Sequence, residues 1–196
     1  MTVGGQRDLG LSELQLEPEC QTQLSQPEPF VVEMAPRLPH SGLALDVAAG
    51  SGRHSVLLGS LGLRVIAIDN SVAALKVLSA TARGQRLQIS AVAADLGCFP
   101  LPTAAFDLII NVNFLDRELV PRLKRALKTG GLLLFDTFLV DQAQLGRPRN
   151  PAYLLRHWEL RELLADMDLL EYREGLARRH DGRSAWRASA LAAKRS

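Results

Sequence analysis

From residue 43 to about residue 138, short apolar runs alternate with segments of helical spacing. Runs of four to eight apolar residues without polar alternation read as strands buried on both faces. The pattern predicts strands over 43–48, 64–69, 87–93, 106–110 and 132–135. Between them it predicts helices over 53–61, ending near Gly62, and over 71–82, capped by Ser71 and stopped near Gly84. A further helix is predicted over 117–128, closed by Gly130 and Gly131, and a short one over 30–34, stopped at Pro36 and Pro39.

After residue 138 the pattern changes. A loop rich in Pro, Gly and Arg covers 139–152, and a helix is predicted over 157–166 with Leu160, Leu163 and Leu164 on one face. Two strands follow, at 169–173 and 185–193, and Asp181-Gly182 between them is a hairpin turn signal. The expected fold is therefore α/β, a Rossmann-like doubly wound sheet that is mostly parallel and ends in an antiparallel C-terminal hairpin strand. Residues 1–29 are polar, rich in Gln and Glu, and carry Pro18, Pro27 and Pro29. They read as a flexible or partly helical arm ahead of one globular domain over 30–196.

Composition narrows the function classes. The chain has 196 residues, 47% of them hydrophobic, which suffices for a full core. With 23 basic and 21 acidic side chains, its net charge of +2 predicts neither a nucleic-acid groove nor a membrane-surface helix. Cys20 and Cys98 are too far apart to suggest a zinc site or a disulfide scaffold. No signal-peptide pattern and no membrane-length apolar run is present, so a reduced, cytoplasmic compartment is expected.

The chemistry concentrates in Leu43-Ala44-Leu45-Asp46-Val47-Ala48-Ala49-Gly50-Ser51-Gly52-Arg53-His54. This is an apolar strand ending on an acid, a small-residue loop and a helix start. Small residues admit a ligand close to the backbone, and a helix N-terminus offers free N–H donors. Val65-Ile66-Ala67-Ile68-Asp69 repeats the pattern of a strand ending on an acid. Together they describe a pocket for an adenosine-containing cofactor. A dinucleotide fingerprint is not satisfied, because the third glycine position counted from Gly50 is Ser55. Asp69 is expected to accept hydrogen bonds from two ribose hydroxyls, since a carboxylate offers two acceptors and no donor. Gly50 and Gly52 are expected to let the backbone approach the ligand.

These residues resemble the first motif of class I S-adenosylmethionine-dependent methyltransferases, with Asp69, Asp95-Leu96, Phe106-Asp107-Leu108 and Gly130-Gly131 at the later motifs. The phrases Gly52-Arg53-His54, Leu115-Asp116-Arg117, Phe135-Asp136-Thr137-Phe138, Gly146-Arg147-Pro148-Arg149-Asn150-Pro151 and Tyr153-Leu154-Leu155 are similar to small bacterial methyltransferases of the tellurite-resistance type. The resemblance implies a seven-stranded sheet with an antiparallel last strand, and S-adenosylmethionine as cofactor. It also implies that Asp46 holds the loop near the methionine amino group, that Asp95 accepts from the adenine amino group, and that Leu96 packs on the ring. Ala48, Asn70 and Asn111 complete the implied cofactor set. Position 48 is Ala where the family has Gly, and Ala disfavours positive φ.

Acceptor-side candidates are Arg53, His54, Asn113, Arg147, Arg149 and Tyr153. A cation at a helix start opposes the dipole, so Arg53 and His54 call for a partner such as a carboxylate. Arg147, Arg149 and Tyr153 lie in the long loop, where paired guanidinium groups suit an anion. Asn111-Val112-Asn113-Phe114 lacks the prolines of the Asn-Pro-Pro-Tyr motif, which argues against DNA adenine or protein glutamine as acceptor. Asp107 is expected to be structural, Trp158 and Trp186 to be packing residues, and residues 178–183 to form a solvated turn. His54 and Asp136 are the candidate bases. The expected function is methyl transfer to a small molecule. The alternatives are a protein or RNA methyltransferase, a non-catalytic cofactor-binding module, and a nicotinamide-dependent oxidoreductase.

Overall fold

The computed structural model describes residues 26–195. The strands are β1 (Leu43–Val47), β2 (Arg64–Asp69), β3 (Ile89–Ala93), β4 (Phe106–Val112), β5 (Leu127–Phe138), β6 (Met167–Arg178) and β7 (Ser184–Lys194). They form one seven-stranded sheet in the order β3-β2-β1-β4-β5-β7-β6. The first five are parallel, β7 runs antiparallel to β5, and β6 runs antiparallel to β7. The helices are α1 (Pro29–Met34), α2 (Arg53–Ser60), α3 (Val72–Gly84), α4 (Leu119–Ala126), α5 (Gln142–Leu145) and α6 (Glu159–Leu163).

Successive residues of a strand point to opposite faces, and both faces here are apolar. Leu108 and Ile110 pack with Phe30, Val31 and Leu58 under α1 and α2. Ile109, one residue out of phase, packs with Leu45, Leu123, Phe135 and Leu160 under α4 and α6. The β2 strand matches its expected bounds, and Ser71 caps α3 by accepting from the Ala74 amide at 3.3 Å.

The glycine pair after α4 behaves differently from its predicted role. The helix stops at Ala126, and Gly130 and Gly131 lie inside β5 beside a register shift between Phe106 and Leu108. A side chain at Gly131 would stand 2.9 Å from the Lys128 carbonyl oxygen, so glycine marks a close backbone approach within the sheet. The predicted helix over 157–166 shortens to α6 because Trp158 adopts a left-handed backbone, φ 65°. The terminal strands run longer than predicted, since β6 and β7 pair with each other from Met167 and Lys194 to Arg178 and Ser184. Gly182 takes φ 78° in the turn between them. The parallel strands direct their C-terminal ends to one edge, where open α/β sheets place their ligands.

Candidate active site

The β1–α2 loop and the end of β2 build one half of this edge. Gly50 has φ 56°, and a side chain there would meet nothing within 4 Å. Gly52 has φ 83° and a different reason to be glycine, because a side chain would collide with Leu78 of α3. The first glycine thus borders open space, and the second lets two helices close. Asp69 Oδ2 accepts from the Gly50 amide at 2.7 Å, and Oδ1 accepts from the Ser71 amide at 2.8 Å. Each oxygen keeps acceptor capacity for a further donor.

Asp69, Asn70, Asp95, Leu96, Ala48 and Phe114 line a cavity of about 250 Å3. Asp95 Oδ1 accepts from the Gly97 amide at 2.9 Å, which fixes the turn that presents it. Asn111 is buried and donates to the Phe114 carbonyl at 2.8 Å, so it holds the loop after β4 in place. Ala48 has φ 52°, in the left-handed region, at a cost of about 1–2 kcal/mol. Asp46 is buried and accepts from the Ser55 hydroxyl at 2.6 Å. Burial pushes its carboxyl up to about 7, against the opposing hydrogen bonds from Ser55.

The other half of the edge is assembled from distant segments. Glu28, from the segment preceding α1, is 1% exposed. Its carboxylate accepts from Arg53 Nη2 at 2.9 Å and Asn113 Nδ2 at 3.1 Å, and it lies 3.1 Å from His180 Nδ1. The His180 amide adds a fourth contact at 3.3 Å. Burial alone would raise this acid, but Arg187, Asn113, Arg53 and the His180 amide outweigh it and hold it at about 2. The Glu28 amide donates to His54 Nε2 at 3.2 Å. Burial and the neighbouring Arg53 lower His54 to about 3. His54 is thus a neutral hydrogen-bond acceptor whose lone pair is in use, a poor general base.

Asp136 and Arg187 form a buried pair, 1% and 3% exposed, with Arg187 Nε donating to Asp136 Oδ1 at 2.8 Å. Ser189 donates to the same oxygen at 2.8 Å. Arg187 Nη2 donates to Asn113 Oδ1 at 2.9 Å, so Asn113 links this pair to Glu28. Among the described residues, Asp136 Oδ2 and Arg187 Nη1 have no hydrogen-bond partner. An unpaired buried polar atom is costly and asks for an explanation. Both side chains line a cleft of about 810 Å3 between α1 and the β7–β6 hairpin.

The structure brings Asp46, Ala48, Gly50, Gly52, Asp69, Asn70, Asp95, Leu96 and Asn111 together on the first half, and Arg53, His54 and Asn113 on the second. Arg147, Arg149 and Tyr153 are exposed, and none lines either cavity. Asp107 is structural, as expected: it accepts from the Leu43 amide at 2.8 Å and pairs with Lys128. Trp186 packs on the core, whereas Trp158 is 58% exposed, stacks on Tyr172 and lines the cleft. The expected solvated turn over 178–183 is solvated only in part. Arg179 and His180 fold back over Glu28, because a buried carboxylate needs charge and hydrogen-bond donors around it.

Sequence reasoning missed Glu28 and Arg187 and left Asp136 undecided. Arg187 did leave a signal, since it occupies the same face as Ala185, Ser189 and Leu191 on a strand whose faces are buried. A charge at such a position needs a buried partner. Glu28 left none, lying in a polar, proline-flanked stretch.

Comparison with known proteins agrees with this geometry. The family model described as "Methyltransferase domain" matches residues 44–131. Over those residues the chain is similar to methyltransferase domains. It also resembles TehB. It is 28% identical over 144 residues to a probable S-adenosyl-L-methionine-dependent methyltransferase TehB of Haemophilus influenzae, covering 69% of this chain and 49% of that protein. The crystal structure of TehB from Haemophilus influenzae superposes with a TM-score of 0.72 at 25% identity, over 85% of this chain and 62% of that one. A malonyl-[acyl-carrier protein] O-methyltransferase of Enterobacter lignolyticus is 36% identical over 112 residues, 54% of this chain and 43% of that protein. A demethylmenaquinone methyltransferase of Thermobifida fusca is 38% identical over 104 residues, 49% of this chain and 43% of that protein. The chain thus spans about half the length of the curated relatives it matches. Among the described residues, no helix is long and apolar enough to cross a membrane.

Proposed function

We propose that this protein transfers a methyl group from S-adenosylmethionine to a small organic acceptor. The observation that carries this reading is the open cradle at Gly50, flanked by Asp69 and Asp95, beside a second cleft with unpaired polar groups. Two relatives named for malonyl and demethylmenaquinone substrates support an organic acceptor. The balance of charges along the chain supports a small acceptor over a nucleic acid.

When bound, S-adenosylmethionine supplies an electrophilic methyl group on a sulfonium. Asp69 would hold the ribose hydroxyls and Asp95 the adenine amino group, with Leu96 and Phe114 against the ring. Asp46 would face the methionine amino group through the loop it anchors. The chain's contribution to rate is then mainly alignment, which can supply on the order of 7–11 kcal/mol. Asn113 joins the end of β4 to both Glu28 and Arg187, so it sits where the two halves of the site meet.

Calorimetric titration with S-adenosylhomocysteine, with NADH as control, tests the reading. We expect binding of the first and none of the second. Asp69→Ala should weaken S-adenosylhomocysteine by roughly 100-fold, as two hydrogen bonds to a charged acceptor are lost. Tight NADH binding, or full affinity in the variant, would refute the assignment.

A further inference from the structure

We propose that the free edge of β3, with the basic flank beside it, docks a short, extended, acidic segment of a partner protein. The segment adds to the seven-stranded sheet as a further strand. This surface lies at the opposite end of the strand order from β6 and shares no residue with either cavity described above.

The first ground is the backbone. In the parallel β2–β3 ladder the Val65 amide donates to the Gln88 carbonyl at 2.8 Å, and the Ala94 amide to the Asp69 carbonyl at 3.1 Å. Successive residues of a strand turn their N–H and C=O groups to opposite sides, so Ser90 and Val92 face β2. Ala91 and Ala93 direct theirs away from the sheet, and among the described residues no strand pairs with that side. The Ile89 amide is already taken, donating to the Leu87 carbonyl at 3.0 Å. Ala91 and Ala93 thus each offer a donor and an acceptor to an added strand.

The second ground is how differently the two edges of the sheet are finished. β6 carries Asp168, Glu171, Arg173, Glu174 and Arg178, and its register shifts between Leu169 and Glu171. Its Leu170 carbonyl is covered by Arg37 at 3.2 Å. Charges and bulges are the usual means by which an edge refuses another strand. β3 reads Ile89-Ser90-Ala91-Val92-Ala93, with no charge, no proline and an unbroken register. Its small side chains leave the backbone within reach, and Ser90 and Ala93 are exposed.

The third ground is charge. Residues 70–94 contain Lys76, Arg83 and Arg86 and no carboxylate. Lys76 and Arg83 stand two turns apart on the exposed face of α3, whose buried Leu75 and Leu78 pack with Ile89 and Ala91 of β3. Arg86 lies in the turn into β3, and Arg64 opens β2 next to the Val65–Ile89 pair. All four are exposed, and none enters an ion pair among the described residues. A second copy is a poor occupant, because β3 against β3 brings two basic flanks together. Single-stranded nucleic acid fits no better, since residues 64–94 contain no aromatic side chain for a base to stack on. An extended acidic peptide meets both the backbone and the charge.

The test is fluorescence anisotropy of the full chain with a short, dye-labelled, end-blocked peptide alternating glutamate and valine. We expect saturable binding that weakens as salt rises. The lysine–valine counterpart, and the acidic peptide with every backbone nitrogen methylated, should each bind at least roughly tenfold more weakly. Arg83→Glu combined with Arg86→Glu should cost a similar factor. Ala91→Pro should do the same, because it removes an outward donor at a place where edge strands tolerate proline. Should that variant unfold, the methylated peptide puts the same question to the intact chain. Equal binding of the methylated peptide would reduce the edge to a charged surface, and equal binding of the lysine peptide would remove the charge. Oligodeoxythymidine binding as tightly as the peptide would assign the flank to nucleic acid. Self-association that Ala91→Pro dissolves would assign the edge to a second copy. Each of these, or no binding of the acidic peptide, would overturn the proposal.

Discussion

The two halves of the strand-end edge are built in opposite ways. Around Gly50 and Asp69 the contacts are local: the bond between them spans 19 residues, and the caps at Ser71 and Gly97 span two. Around Glu28 and Arg187 they are remote, spanning 85 residues from Asn113 to Glu28, 74 from Arg187 to Asn113, and 152 from His180 to Glu28. The first half uses backbone amides and single carboxylates, while the second uses paired and buried charges. The first half is built from short, self-contained loops, whereas the second depends on distant segments closing correctly.

The sharpest way to separate the halves is to cut the charge pair in the second. Arg187→Met leaves Asp136 buried with only Ser189 and no cation, and breaking such a pair costs about 3–5 kcal/mol. Chemical denaturation should register that loss. The fraction that remains folded should bind S-adenosylhomocysteine with near wild-type affinity, because no atom of Arg187 lines the cofactor cavity. A parallel collapse of cofactor affinity would show that the two halves are one cooperative unit, and the comparison would fail.

A pH profile probes the first half alone. Asp46 titrates at about 7 in the ligand-free protein because burial disfavours its charge. A ligand ammonium nearby favours the ionised form. By linkage, S-adenosylhomocysteine affinity should therefore be full above about pH 7 and fall as pH drops below it, by up to roughly tenfold per unit. Asp46→Asn should flatten the profile while keeping the Ser55 contact. A profile that stays sloped in the variant would assign the titration elsewhere. Glu28, held at about 2, stays ionised throughout this window and adds no slope to it.

The same division explains what was legible in the sequence. The succession of strands and helices and the C-terminal hairpin could be anticipated because apolar runs, caps and Asp181-Gly182 are local signals, and the β1–α2 loop compresses its chemistry into twelve consecutive residues. The second half hides because its members carry no shared motif. Arg53 was visible as a cation misplaced at a helix start, but its carboxylate partner sits 25 residues upstream in a stretch without pattern, and His54 accepts a backbone amide of that stretch instead. Arg179 and His180 looked like turn residues because a turn is what surrounds them locally. Gly130 and Gly131 misled for the converse reason: a helix-stop signal was present, but the sheet register used it for close backbone approach.

Ala48 offers the smallest and most discriminating change. Its left-handed backbone costs about 1–2 kcal/mol, which glycine would remove. Glycine would also free the unfolded chain, offsetting about 0.4–1 kcal/mol of that gain. Ala48→Gly should therefore stabilise the protein by at most about 1.6 kcal/mol, read as a small rise in the denaturation midpoint with unchanged slope. Since Ala48 lines the proposed cofactor cavity, loss of its methyl group should leave S-adenosylhomocysteine affinity equal or modestly higher. A drop in cofactor affinity would mean that the methyl group packs against the ligand. The alanine would then be a contact that this chain has gained, and the strained backbone the condition for making it.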